Sequence, residues 1–204
     1  MRYHILFIGN SYTFFEKLLW LFADVCRQAG KDVHAFMLTY PGCDWRWHYS
    51  SYCALPNIRF GKYDYVVIQQ KSHPFGGEEA FLEQGAPLLQ AINKTGAIAV
   101  LMNTWSEKSN PGGQKTIDEA FTMLHNTYPE SLVAKCGAAW HALRGDMELM
   151  STEQMLFAKR ICKKSKYCSF DSKTSLFAVS DALLVCLDGF ADTRRKSMVQ
   201  NFLL

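Results

Sequence analysis

The chain has 204 residues, 49% hydrophobic and 20% charged, with a formal net charge of +3: enough for one domain with a sizeable core, too short for two, and globular rather than disordered. The charge is too small to indicate a nucleic-acid partner, and no apolar run reaches the roughly 20 residues of a membrane helix. Seven scattered cysteines without a Cys-x-x-Cys pair indicate reduced thiols, not a disulfide framework or a zinc site.

In chain order, Met1-Arg2-Tyr3-His4 leads straight into the apolar run Ile5 to Ile8, which reads as a strand buried on both faces. That run is too short for a signal-peptide core, so the chain as written is expected in the cytoplasm, with a secreted or periplasmic parent still compatible. After Gly9-Asn10-Ser11, Phe14, Leu18, Leu19, Phe22, Val25 and Cys26 recur at helical spacing and stop at Ala29-Gly30. Val33 to Leu38 reads as a second strand, followed by a long aromatic loop from Tyr40 to Phe60. Tyr65 to Ile68 is a third strand, ending at Gln69-Gln70-Lys71-Ser72. A helix over Glu78 to Ile92 contains Pro87, and Ala97 to Met102 is a fourth strand. A helix from Thr116 to Asn126 and a short strand around Leu132-Val133 complete the pattern. Strands alternating with helices predict a parallel sheet in a three-layer α/β/α arrangement. In such folds the active site lies at the carboxyl ends of the strands. Ser11, the loop around Gly42, the segment from Gln69 to His73, and Asn103 should therefore converge.

Ser11 stands just after a buried strand and just before a helix. A tight turn there exposes the hydroxyl, and the free N–H groups of the first helical turn suit a developing oxyanion. Asn10 can hydrogen-bond across the turn and fix its shape. A serine at this position also serves as an ordinary helix N-cap, so the segment alone leaves both roles open.

Further segments narrow the choice. Ile5 to Thr13 resembles the first block of the SGNH/GDSL hydrolases, in a branch with Gly-Asn-Ser in place of Gly-Asp-Ser. Tyr40-Pro41-Gly42 with His48 six residues later, Asp64 to Ser72 ending in a Gln-x-x-Ser pattern, Leu101 to Ser106, and Gly137 to Trp140 are similar to later blocks in the same order. The resemblance covers about residues 4 to 155 and implies a flavodoxin-like parallel sheet carrying a serine esterase or acyl hydrolase without metal or cofactor. It implies Ser11 as nucleophile, the N–H groups of Ser11 and Gly42 and the Gln69 amide as oxyanion donors, and His48 as a residue of the substrate pocket. Trp45, Trp47 and Trp105 are candidates for an apolar or sugar-stacking wall.

The family's base comes from a late Asp-x-x-His segment. Here the pattern runs through Asp146-Met147-Glu148-Leu149, puts an acid at Glu153, and meets Leu156 where the histidine belongs; no histidine follows His141. His73, just beyond the third strand, is the best stand-in, ahead of His48 and His141. Resemblance ends there too, which divides the chain into an SGNH-like domain over 1–155 and an atypical segment over 156–204. A reading frame slipped just after Met155 produces such a loss of register, as does divergence in a pseudoenzyme lineage. The favoured function is an SGNH-type esterase acting on a small-molecule or carbohydrate ester. The alternative is an inactive member serving as a carbohydrate-binding or interaction module. A nucleic-acid or anionic-membrane binder working through Lys159 to Lys173 is the weakest reading, because a solvated face accounts for that run.

Overall fold

The computed structural model describes residues 2–14, 17–71, 77–106, 110 and 112–144. His73, Glu153, Leu156, the lysine run and the expected division at 155/156 lie outside the described residues.

Five strands form one parallel sheet: β1 (Arg2–Gly9), β2 (Asp32–Thr39), β3 (Tyr65–Gln69), β4 (Ile98–Met102) and β5 (Leu132–Ala134), in the order β2-β1-β3-β4-β5. This is the flavodoxin-like order anticipated for the fold. β3 and β4 are buried at every position, as expected of strands with neighbours on both edges and helices on both faces. β2, the edge strand, is only partly buried.

Strand alternation divides the apolar side chains between two layers. On one face Ile5, Phe7, Tyr65, Val67 and Val100 pack with Phe22 and Val25 of α2 (Leu18–Gln28). On the other, Leu6, Ile8, Val66, Ile68 and Leu101 pack against four helices: α3 (Trp45–Ser50), α4 (Ala54–Phe60), α5 (Glu78–Asn93) and α6 (Gly113–Thr127). A last helix, α7 (Cys136–Arg144), follows β5, and Cys136 and Trp140 join the first layer. Among the described residues no helix is long and apolar enough to cross a membrane.

Two local differences from expectation have physical causes. The helical pattern after Ser11 is split into α1 (Ser11–Phe14) and α2, because Lys17 adopts a left-handed conformation at φ 62°. α2 then closes as expected at Gly30, where φ is 75°. The N–H groups of Gly30 and Lys31 reach the carbonyls of Arg27 and Cys26 at 3.0 and 2.8 Å, which satisfies the helix end. The aromatic stretch from Tyr40 to Phe60 is not a loop but carries α3 and α4. Asp44 caps α3 by accepting the Trp47 N–H at 2.8 Å, and Ala54 and Ile58, one turn apart, bury a face of α4.

Gly9 closes β1 where a Cβ would collide with Thr13 Oγ1 and Gln69 Oε1, two atoms that hydrogen-bond each other at 3.0 Å. Gly9→Ala should therefore cost roughly 1–3 kcal/mol, read as a lower urea midpoint. An unchanged midpoint would show slack in the turn.

Candidate active site

The sheet order reverses between β1 and β3, so the crossover leaving β1 goes one way and the crossover leading to β3 goes the other. The crevice that opens beyond the carboxyl ends of two such strands is where open α/β sheets bind ligands. Gly9-Asn10-Ser11 leaves β1 at this point, and Gln69-Gln70 leaves β3 beside it.

Asn10, not Ser11, caps the helix. Its Oδ1 accepts the Tyr12 N–H at 3.1 Å, and its carbonyl accepts the Thr13 N–H at 2.9 Å. Ser11 thus becomes the first residue of α1, partly exposed, and among the described residues its hydroxyl has no hydrogen-bond partner. The capping role open to Ser11 on sequence alone belongs to its neighbour.

The turn is held from two directions. Gln69 is 1% exposed, and its Oε1 accepts both the Asn10 N–H at 2.9 Å and the Thr13 hydroxyl at 3.0 Å. Its Nε2 donates to the Gln70 carbonyl. The amide expected to face substrate is thus spent on the turn, a supporting position that strand alternation dictates. The adjacent Gln70 points to the other face, where its Oε1 accepts the N–H of Trp45 at 3.0 Å and its Nε2 donates to Gln84 at 2.9 Å. From the second direction, Asn10 Nδ2 donates to the Cys43 carbonyl at 2.8 Å, and the Tyr40 N–H meets the Gly9 carbonyl at 3.3 Å. These bonds bracket Gly42 against the Ser11 turn. Gly42 lies at φ 68°, which glycine adopts at little cost. Among the described residues neither the Ser11 nor the Gly42 N–H has an acceptor.

His48 is fully buried beneath this loop. Its Nε2 lies 2.9 Å from the Gly9 carbonyl, which can only accept, so Nε2 carries the proton. The Cys43 thiol is 3.0 Å from the same nitrogen and 3.3 Å from the same carbonyl. His48 Nδ1 is buried with no partner among the described residues, and a second proton there would find no acceptor. Burial accordingly pushes the His48 pKa below its ordinary value, against a smaller opposing effect of the Gly9 carbonyl. Burial also pushes the Cys43 thiol up, which keeps the pair neutral. His48 therefore anchors the end of β1 and is closed off from a substrate.

Asn103, at the end of β4, serves a separate network. It donates to Asp118 at 2.7 Å and accepts the Gly137 N–H at 2.8 Å, joining β4, α6 and α7. Burial raises the Asp118 pKa, and the amides of Gln114 and Asn103 partly offset the rise. Next to this network, His141 Nε2 lies 3.0 Å from the Ser106 hydroxyl, in the interior.

Aromatic rings border the turn in two groups. Tyr12 meets Trp105 edge-on at 4.8 Å, and Trp105 stacks on Trp140 at 4.2 Å and 5°, all three partly buried. Tyr40 stacks on Trp47 at 4.8 Å and 19° in the open. Trp45 belongs to neither group: it is 0% exposed, packed between Phe81 and Phe121, so it forms core rather than wall.

No protein-family model matches the chain, and no curated protein matches its sequence. Solved structures do match. A putative lipolytic protein of the G-D-S-L family from Desulfitobacterium hafniense aligns over 88% of this chain and 98% of its own, at 16% identity and TM-score 0.58. The psychrotrophic esterase EstA from Pseudoalteromonas sp., in a form inhibited by monoethylphosphonate, aligns over 93% and 98%, at 12% identity and TM-score 0.57. A variant of Axe2, an acetyl-xylooligosaccharide esterase from Geobacillus stearmophilus, aligns over 89% and 92%, at 14% identity and TM-score 0.58. The fold is that of the SGNH/GDSL hydrolases. At these identities the likeness is one of architecture.

Within this SGNH/GDSL fold, Ser11, Asn10, Gly42 and Gln69 come together at the switch point, and Trp105 approaches it through Tyr12. Cys43, Thr13 and Gln70 complete the support and escaped sequence reading, since their bonds to Asn10, Gln69 and Trp45 span 33, 56 and 25 residues. The two consecutive glutamines closing a buried strand were the one available signal.

The unfolded chain takes up a proton at His48 near its ordinary pKa of 6.5, whereas the folded chain resists it. The stability due to neutral His48 is therefore present above pH 6.5 and is lost as pH falls below it. Thermal midpoints between pH 7.5 and 5 should fall, and less steeply in His48→Gln; equal slopes would contradict the assignment.

Proposed function

We propose that this chain is a serine esterase of the SGNH type acting on acylated carbohydrate. The observation that carries the reading is the state of Ser11: relieved of capping by Asn10, its hydroxyl is unpartnered among the described residues, beside two N–H groups without acceptors. Ser11 Oγ attacks the ester carbonyl, and the N–H groups of Ser11 and Gly42 receive the oxyanion. Each such donor contributes about 3 kcal/mol of transition-state stabilisation. The tetrahedral intermediate expels the alcohol and leaves an acyl-serine. Water then attacks that ester, releasing the acid and restoring Ser11.

The base that takes the Ser11 proton and returns it to the leaving alcohol is assigned to His73, by elimination among six histidines. His4 and His34 pair at the far end of β1 and β2, and His125 neighbours Ser131 at 3.4 Å. His48 and His141 hold interior bonds. His73 follows Gln69, the last residue of β3, by four residues in sequence. The acetyl-xylooligosaccharide esterase among the structural neighbours supports a carbohydrate ester as substrate. One observation favours the non-catalytic alternative: the sequence has Leu156 where the resemblance expects the catalytic histidine.

Turnover of p-nitrophenyl acetate decides between the two. Esterase function predicts hydrolysis that drops to the buffer rate in Ser11→Ala and falls about 100-fold or more in His73→Ala. Wild-type and Ser11→Ala rates that agree would overturn the proposal. Sugar binding that survives Ser11→Ala, with no hydrolysis by the wild type, would establish the binding module.

A further inference from the structure

The two aromatic groups around Ser11 differ in exposure in a way that core packing does not explain. α3 turns Trp45 and His48 fully inward, three residues apart, while Trp47 on the opposite side of the same short helix is 42% exposed. Its ring lies on Tyr40, which is 55% exposed, at 4.8 Å and 19°. Two large rings left about half exposed gain less from burial than core rings do, so burial alone is a weak reason to hold them there. The backbone beneath both is nevertheless anchored. The Trp47 N–H is fixed by the Asp44 cap at 2.8 Å, and the Tyr40 N–H by the Gly9 carbonyl at 3.3 Å, two residues before Ser11.

We propose that the Tyr40–Trp47 stack is a saccharide subsite that selects the alcohol half of the ester, a reading that rests on the esterase function proposed above. Tyr40 precedes Gly42 by two residues, so the open stack adjoins the loop bonded to the Ser11 turn, and the alcohol half of the ester is assigned to it. A pyranose ring presents C–H groups on its faces and hydroxyls around its rim. It therefore suits a flat ring surface whose neighbours in the chain, half-buried Asp44 and exposed Arg46, are charged. A long acyl chain would need an enclosed apolar channel instead. Because the two rings already stack on each other, the sugar meets little ordering entropy on binding.

The test uses the full chain with two esters of one acid: an acetylated methyl xylopyranoside and ethyl acetate, which has no ring. The kcat/KM preference for the xylopyranoside over ethyl acetate should fall about threefold to tenfold in Trp47→Ala. Trp47→Phe, which keeps a ring on the platform, should restore most of it. An unchanged preference in Trp47→Ala, with wild-type thermal stability, would overturn the subsite. If the wild type hydrolyses neither ester, the esterase reading fails, and the subsite is judged by calorimetric titration with unacetylated xylo-oligosaccharide. Binding lost in Trp47→Ala would then sustain the subsite, and absence of binding to the wild type would overturn it.

Discussion

A single side-chain oxygen organises the functional edge of this protein. Gln69 Oε1, buried at the end of β3, accepts the Asn10 N–H and the Thr13 hydroxyl from the turn that follows β1. Without it, a backbone N–H and a hydroxyl would be left unpaired in the interior, each costing roughly 1–3 kcal/mol. Gly9 makes the approach possible, because any Cβ there would occupy the space of these same atoms. Asn10, held at its N–H by Gln69, can use its side chain to cap α1 and to reach the Cys43 carbonyl. Ser11 is thereby released from structural duty, and Gly42 is drawn up beside it.

The same economy appears elsewhere on this edge. His48 and Cys43 share the Gly9 carbonyl, so β1, the Gly42 loop and α3 meet at one acceptor. Gln70 ties α3 and α5 to β3, and Asn103 with Asp118 ties β4 to α6 and α7. Polar side chains at the ends of three neighbouring strands thus fix the loops above the sheet, and the apolar layers below fix the strands. A turn held this way is fixed in advance, which is what the proposed oxyanion role would require.

Much of the architecture was legible in the chain itself. Short, continuous apolar runs such as Tyr65 to Ile68 announce strands buried on both faces, and Ala29-Gly30 announces a helix end that the structure closes with two backbone bonds. The placement of Ser11, Gly42 and Gln69 at one edge followed from the parallel sheet. What could not be read was which way polar side chains turn once there. Gln69 looked like a substrate-facing amide because its partners, Asn10 and Thr13, lie 59 and 56 residues away. His48 looked like a pocket residue because nothing local reveals that α3 buries it under Gly9. α3 and α4 themselves were hidden by the density of aromatics between Tyr40 and Phe60, which masks helical periodicity; the Asp44 cap was the missed sign.

Amide hydrogen exchange at Asn10, compared between the wild type and Gln69→Leu, tests most directly whether Gln69 holds the Ser11 turn. Exchange in the wild type should be as slow as at core-strand amides such as Val67. In the variant it should quicken at Asn10 by about tenfold or more while Val67 changes little, since losing a buried acceptor costs on the order of 1–3 kcal/mol locally. Equal exchange at Asn10 in the two proteins would contradict the role assigned to Gln69.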